Sequence, residues 1–270
     1  MGHKPYIPVH YKPIQPSLRL KNGDVIYNEI FPDIRLSEFV YCYWQLQSSK
    51  KLEDNYQYNV VADGCVDIFF ELNNPQNSFI MGFCNSHTQF PLEQSFNYAG
   101  IRFMPTAFTR LFNIKALEMS NRFETLDMVV PGLSAAISNI IKDTFTLSQI
   151  KTVFDSYLYN HISGINIKND KRFDGALSAI IHSKGLINIE TDIDTGISSR
   201  QLRRMFEFYT GTTAKTFSKV VRFQNALRLA QGNNFLQDRL FYDAGYYDQA
   251  HFIKEFKLLY GATPGKALDK

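Results

Sequence analysis

Two stretches of this 270-residue chain share one grammar: a polar cap, an apolar stripe at helical spacing, basic or polar residues off that stripe, and a closing glycine. The first is Ser198-Ser199-Arg200-Gln201-Leu202-Arg203-Arg204-Met205-Phe206-Glu207-Phe208-Tyr209-Thr210-Gly211. The second is Asp248-Gln249-Ala250-His251-Phe252-Ile253-Lys254-Glu255-Phe256-Lys257-Leu258-Leu259-Tyr260-Gly261. Leu202, Met205, Phe206 and Tyr209 recur at i, i+3, i+4 and i+7, the spacing of one helix face. Ser198 and Asp248 each offer an oxygen to the unpaired N–H groups of a first helical turn, so both helices start at a fixed residue. Before each cap stands a glycine followed by an apolar residue, Gly196-Ile197 and Gly245-Tyr246. A short helix, a tight glycine turn and a second helix with a bare polar face is the arrangement that reaches into the DNA major groove.

Charge is distributed to match. From residue 171 onward there are 15 Lys/Arg against 10 Asp/Glu, whereas residues 1–170 carry 14 against 16. The basic excess belongs to the C-terminal part, as expected where one domain meets a polyanion and the other does not. The length suits two domains. The periodicity predicts a helix from about Ala214 to Gln231 between the two units, with Phe217, Val220, Val221, Leu227 and Ala230 inward. Such a rod of roughly 27 Å holds two small helical units apart by about one DNA turn, roughly 34 Å.

The first hundred residues read differently. Residues 1 to about 30 have no sustained period and read as an arm or a loosely attached edge. Leu36–Leu46 is strand-like toward its end, and Tyr58–Ala62 and Cys65–Leu72 read as a hairpin about Asp63-Gly64. Asn73–Asn77 reads as a loop, and further strands are expected at Ser78–Phe83 and Phe96–Phe103. Helical spacing begins at Thr106–Phe112 and continues at Ala135–Ile141 and Leu147–Tyr159. The polar stretch from Ser163 to Lys171 reads as a linker, followed by an amphipathic helix bearing Phe173, Ala176, Leu177, Ile180 and Ile181. Glu190–Thr195 is a short segment expected to support the first recognition helix. The fold class is therefore α+β: an N-terminal β-rich domain over 1–162, a linker over 163–171, and an all-α domain over 172–270.

Residues 172–268 resemble the tandem helix-turn-helix domain of the AraC/XylS family of bacterial transcription regulators. The likeness is carried by Gly196-Ile197-Ser198, Leu202 to Phe206, Tyr209-Thr210-Gly211, Arg222-Phe223 with Ala226 and Leu229, Gly245-Tyr246, Asp248 to Lys257, and Gly261-Ala262-Thr263-Pro264. It implies that Arg200, Gln201, Arg203 and Arg204 of the first unit, and Gln249, His251, Ile253 and Lys254 of the second, face double-stranded DNA. Where that family places a small residue before each turn glycine, this chain has Asp192 and Phe241, so its supporting helices must pack differently. Residues 30–130 resemble the cupin-like sensing domains that precede this DNA-binding domain, through Phe39 to Trp44, Asp63 to Asp67, and Gly100 to Pro105. The resemblance implies a small-molecule effector, for which Trp44, Phe69 and Phe103 are candidate contacts, and a regulator that acts as a homodimer or, if an activator, on RNA polymerase.

Other classes find less support. Asp63, Cys65 and Asp67 alternate and Cys84/His87 are spaced as a CxxH pair, yet neither makes a four-ligand metal set, so no metal or other cofactor is expected. A metal-dependent sensor or enzyme fused to a DNA-binding domain is the alternative. No P-loop, GxGxxG or Ser-His-Asp pattern supports catalysis. Three scattered cysteines, no apolar leader and no long apolar run point to a cytoplasmic protein without a membrane span.

Overall fold

The structure, a computed structural model, describes residues 11–16, 23–232 and 239–268. Alternating apolar and polar residues form strands over the N-terminal part: β1 (Val25–Ile30), β2 (Val40–Ser48), β3 (Tyr56–Val60), β4 (Val66–Glu71), β5 (Asn74–Met81), β6 (Thr88–Leu92) and β7 (Asn97–Phe103). Helix α1 (Ala107–Phe112), a 3-10 turn (Ala116–Met119) and strand β8 (Phe123–Thr125) follow, then helices α2 (Leu126–Val129), α3 (Pro131–Ile140) and α4 (Leu147–Ser163). The C-terminal part is helical: α5 (Lys171–His182), α6 (Ser199–Thr210), α7 (Ala214–Ala230), α8 (Leu240–Asp243), α9 (Gln249–Tyr260) and α10 (Pro264–Leu268). The class is α+β.

Among the described residues the strands form a six-stranded antiparallel sheet in the order β1-β2-β7-β4-β5-β8, faced by the two-stranded pair β3-β6. Strand side chains alternate between faces, and two cores result. One face sends Tyr43, Ile68, Phe70, Ile80, Ile101 and Phe103 toward the helices. There α4 packs on β2, with Phe154 stacked on Tyr43 at 5.9 Å. The other face sends Cys42, Trp44, Leu46 and Met81 toward Tyr58 and Val60 of β3.

Three expectations are corrected by strand pairing and burial. Asp63-Gly64 does turn, with Gly64 at φ +77°. Its flanking strands nevertheless enter different sheets: β3 pairs β6, and β4 pairs β5 and β7. The Asp63 carboxylate accepts from the Cys65 N–H at 2.9 Å, fixing a local turn that needs no hairpin ladder. Of the loop expected over Asn73–Asn77 only Asn73 is in a turn, because Glu71 pairs Asn74 and β5 begins at once. Of the arm or edge expected up to about residue 30, Val25–Ile30 is the edge strand β1 of the large sheet, and the described part before it is not loose. Tyr11, Ile14 and Gln15 are buried, while residues 1–10 and 17–22 of that expectation lie outside the described residues.

The two halves meet over a polar seam laid on this buried segment. The Tyr11 hydroxyl donates to the Asp63 carbonyl at 2.5 Å, and the Ile14 N–H to Gln224 Oε1 at 2.7 Å. Gln224 donates in turn to the Ala62 carbonyl at 2.8 Å. On the other side, Arg110 of α1 is ion-paired to Asp174 of α5 and lies over the Tyr209 ring at 5.0 Å. Helix α4 ends at Ser163 and α5 begins at Lys171, so the residues between them join the halves.

Candidate nucleic-acid interface

Helices α6 and α9 begin where the caps place them. Ser198 Oγ accepts from the Gln201 N–H at 3.3 Å and Asp248 Oδ1 from the His251 N–H at 2.7 Å. Gly196 and Gly245 take φ of +71° and +76°, a backbone that L side chains adopt only under strain, so the glycines make the turns. In α6 Leu202 and Phe206 are buried; in α9 Phe252, Phe256 and Leu259 are. These stripes pack each helix onto α7, which lies between them.

The outward faces carry the residues singled out from the sequence. Arg200, Gln201, Arg203 and Arg204 are exposed on α6, and Gln249, His251, Ile253 and Lys254 on α9. Arg203 Nε donates to Glu207 Oε1 at 2.8 Å, one helical turn away, which holds the guanidinium against the helix. Arg200, Gln201 and Arg204 border an open groove whose edge includes Lys115 of the N-terminal half. That lysine extends the cationic surface of α6 beyond its own domain, and nothing in the local sequence around it pointed to this.

The structure adds an ionic hub at the second unit. Glu255, only 5% exposed, turns inward from α9. Its Oε1 accepts from Arg222 of α7 at 2.9 Å and from the Tyr246 hydroxyl at 2.8 Å. Lys219 Nζ stands 3.7 Å and His251 Nε2 3.6 Å from Oε2. The Arg222 guanidinium lies 4.3 Å over the Tyr246 ring. Burial and the Glu255 charge push the Tyr246 hydroxyl above its ordinary range, so it stays a proton donor. One buried carboxylate thus ties recognition helix, turn and central rod together.

The first unit lacks its supporting helix. Residues around Glu190–Thr195 form turns instead. The Asp192 carboxylate accepts from the Asn188 N–H at 3.0 Å and Asn188 Oδ1 from the Glu190 N–H at 3.0 Å. Short polar side chains that capture backbone donors in this way compete with helix formation. Helix α7 is buried on more sides than its stripe required. Phe223, Gln224, Asn225 and Ala226 are covered as well: Phe223 lies edge-on to Phe256 of α9 at 5.4 Å, and Gln224 is closed over by the N-terminal half.

Both recognition helices are held by their last turns against the N-terminal half. The Ser120 hydroxyl donates to the carbonyl of Gly211, at the end of α6, at 2.6 Å. The carbonyls of Leu258 and Leu259, at the end of α9, accept from the N–H groups of His87 and Ala62 at 3.0 and 3.2 Å. The N-terminal turns, where helix-turn-helix proteins contact base edges, carry the exposed residues.

A cavity of about 620 Å³ lies between the two sheets of the N-terminal half. Trp44 and Phe69 line it, together with Tyr58, Phe90 and Asp67, which sequence inspection left out. Phe103 does not line it. It is one residue past Arg102, so strand alternation turns it to the helical side, edge-on to Phe108 at 5.8 Å. Trp44 and Phe69 both pair across Gly100. A Cβ there would meet the indole at 2.5 Å, so this glycine makes room for the Trp44 ring on the cavity floor. Asp63 and Asp67 face Arg102 at 3.5 and 3.0 Å. His87 is drawn away from Cys84 to the end of α9, its Nδ1 3.2 Å from the Leu258 carbonyl. Among the described residues no group of three His, Cys, Asp or Glu is placed to hold a metal ion, and no helix is long and apolar enough to cross a membrane.

Comparison with known proteins agrees with this anatomy. Residues 194–270 match the family described as a helix-turn-helix domain, and residues 28–124 match a domain of unknown function (DUF6597). The HTH-type transcriptional regulator GlxA of Rhizobium meliloti is 34% identical over 70 residues, covering 26% of this chain and 22% of that protein. The chain thus spans about a fifth of the length of that curated relative. Among solved structures, apo ToxT from Vibrio cholerae aligns over 93% of this chain and 98% of its own, at 15% identity and a TM-score of 0.40. ToxT with a bound unsaturated fatty acid aligns over 93% and 96%, at 13% identity and a TM-score of 0.38.

Proposed function

We propose that this chain, whose C-terminal part is a helix-turn-helix domain of the AraC type, is a sequence-specific DNA-binding transcriptional regulator under the control of its N-terminal domain. The observation that carries the reading is the pair α6 and α9, each capped, each packed on the shared rod α7, each with a bare polar or cationic face at its N-terminal turn. Arg200, Gln201, Arg203 and Arg204 contact one major-groove segment, and Gln249, His251, Ile253 and Lys254 the next. Arginine forks suit guanine edges, and Lys254 suits phosphate. The working division is a regulatory domain over 1–162, a linker over 163–171 and a DNA-binding domain over 172–270. Such a protein works in the cytoplasm, where bacterial DNA is.

Control follows from the seam. Tyr58 and Val60 line the cavity, and the next residues, Val61 and Ala62, bond Gln15 and the end of α9. Thr88 lines it too, and its neighbour His87 holds Leu258. A small molecule that binds the cavity more tightly in one arrangement of the seam shifts the population toward that arrangement. The protein is read as a homodimer that meets RNA polymerase if it activates.

The test is genome-wide mapping of bound sites, followed by titration of the purified chain with the recovered duplex and with scrambled duplex. Preference for the recovered site by a hundredfold or more is expected. Equal affinity for both duplexes would remove the sequence-specific reading.

A further inference from the structure

The cavity between the sheets is walled by rings from both of them. Trp44, Phe69 and Phe79 rise from the large sheet, Tyr58 and Phe90 descend from the small one, and Phe123 closes one side. Neighbouring rings stand 5.5 Å apart for Phe69 and Phe79, 5.5 Å for Phe90 and Phe123, and 6.3 Å for Trp44 and Phe69. Aromatic faces present negative potential to whatever lies between them.

The buried ionic group in this wall is an acid. Asp67, with its side chain 6% exposed, lines the cavity beside Trp44, whose Nε1 lies 3.4 Å from its Oδ1. The charge behind it is unbalanced. The Arg102 guanidinium donates from Nε and Nη2 to Asp67 at 3.1 and 3.0 Å and is met by Asp63 at 3.5 Å, two buried carboxylates on one cation, while Glu29, 3.9 Å away, is open to solvent. Burial of net negative charge among apolar side chains is unfavourable unless a positive charge joins it. The cationic group of the lining, Arg122, stands at the solvent edge with its side chain 60% exposed and Glu124 3.7 Å away.

We infer that the cavity binds an organic cation: a protonated amine on an apolar body of aromatic dimensions, its ammonium set on Asp67 and its body among the rings. The inference rests on the N-terminal domain being the effector-sensing half of a regulator. A carboxylic acid of the same shape meets the wrong charge at the floor and leaves its head at the rim. A neutral molecule gains the apolar contacts and leaves the excess carboxylate uncompensated.

Three probes with one body separate these cases: phenylbutylamine, phenylbutanol and phenylbutyrate, titrated calorimetrically into the full chain at neutral pH without DNA. The amine is expected to bind at least tenfold more tightly than the alcohol, and the acid more weakly than the alcohol. Asp67→Asn is expected to bring the amine down to the alcohol's affinity and leave the alcohol unchanged. Arg102 keeps Asp63 and Glu29 in that variant, and circular dichroism checks its fold. Should it not fold, Phe69→Leu and Phe90→Leu are expected to weaken the amine more than the alcohol. The inference is overturned if the acid binds tightest and Arg122→Gln abolishes it, if the three probes bind alike, or if none binds at millimolar concentration. Because no DNA is present, any of these failures leaves the DNA-binding reading standing, and loss of operator binding leaves the amine preference standing.

Discussion

The N–H of Ala62 donates to the carbonyl of Leu259 at 3.2 Å, which places the last turn of the second recognition helix in the keeping of the N-terminal domain. Two residues before Ala62 the same strand lines the aromatic cavity. The aromatic cavity and helix α9 are thus joined by one short stretch of backbone. Neither end of the stretch can shift freely, because Val61 is held on both backbone groups by Gln15.

Gln224 is the side chain that closes this seam, so its removal is expected to open it. The side chain is 1% exposed, accepts from the Ile14 N–H and donates to the Ala62 carbonyl. Gln224→Ala leaves a buried donor and a buried acceptor unpaired, at about 1–3 kcal/mol for each such group. A fall in the urea midpoint is expected, with the N- and C-terminal halves unfolding in separate steps when followed by Trp44 fluorescence and far-ultraviolet dichroism. A single unchanged transition would show that the seam contributes nothing to cooperativity.

Glu255 joins α9 to the central rod through Arg222 and Lys219 of α7. Glu255→Ala removes the acceptor from the half-buried Arg222 and from the buried Tyr246 hydroxyl. Breaking one side of a buried pair is worth about 3–5 kcal/mol, toward the lower end here because the Arg222 side chain keeps 18% exposure. Thermal unfolding measures the loss. Glu255→Gln, which keeps an acceptor for Tyr246, is expected to recover part of it.

What the chain shows before folding is what depends on near neighbours. Ser198 and Asp248 each cap a helix through a backbone N–H three residues on, and both starts are where periodicity and cap chemistry place them. Phe103 lies off the cavity for the opposite reason. Its ring is as apolar as that of Phe69, and only the register of β7 against β4 decides which face it takes. The Asp63-Gly64 turn looks like a hairpin locally, but its strands find partners tens of residues away. Tyr11 and Gln15 sit in a stretch without period, and their burial comes from Asp63 and Val61, some 50 residues on. Asp67 lies in a run read as strand, yet its part in the cavity appears only once Arg102 stands opposite it on β7.

Arg200, Arg203, Arg204 and Lys254 are exposed, so their replacement is expected to spare the fold and change only binding. Surface substitutions of this kind stay within about 0.5 kcal/mol of stability. A lost phosphate contact lowers the slope of log affinity against log salt by about 1, whereas a lost base contact leaves the slope and relaxes one position by about 1–3 kcal/mol. Lys254→Ala is expected to do the first. Arg203→Ala is expected to weaken binding less than Arg204→Ala, because Arg203 must leave Glu207 to reach DNA. Salt titrations of the four alanine variants on one duplex check both statements, and identical slopes throughout would refute the phosphate assignment.

The buried acid makes both stability and ligand binding depend on pH, with opposite signs. Burial pushes the Asp67 carboxyl up to about 6 against the pull of Arg102, and Asp63 adds to the rise. Arg102 faces it from β7, Asp63 from the turn, Glu29 behind the guanidinium on β1, Trp44 from β2 and Tyr58 from β3. The Tyr58 hydroxyl and the Cys42, Cys65 and Cys84 thiols nearby are pushed above their ordinary values by burial, so Asp67 is the one of these whose value is raised into this range. A carboxyl that holds its proton more tightly folded than unfolded contributes stability below the unfolded value, about 4, and that contribution is lost as pH rises through about 6. The empty protein is therefore expected to lose urea stability over this window relative to Asp67→Asn, which has no proton to lose there. An ammonium ligand reverses the trend, since only the ionised carboxylate pairs with it. Phenylbutylamine affinity is expected to rise as pH passes about 6 and then level off. A flat profile for the amine, or the same slope in Asp67→Asn, would assign the pH dependence to another group.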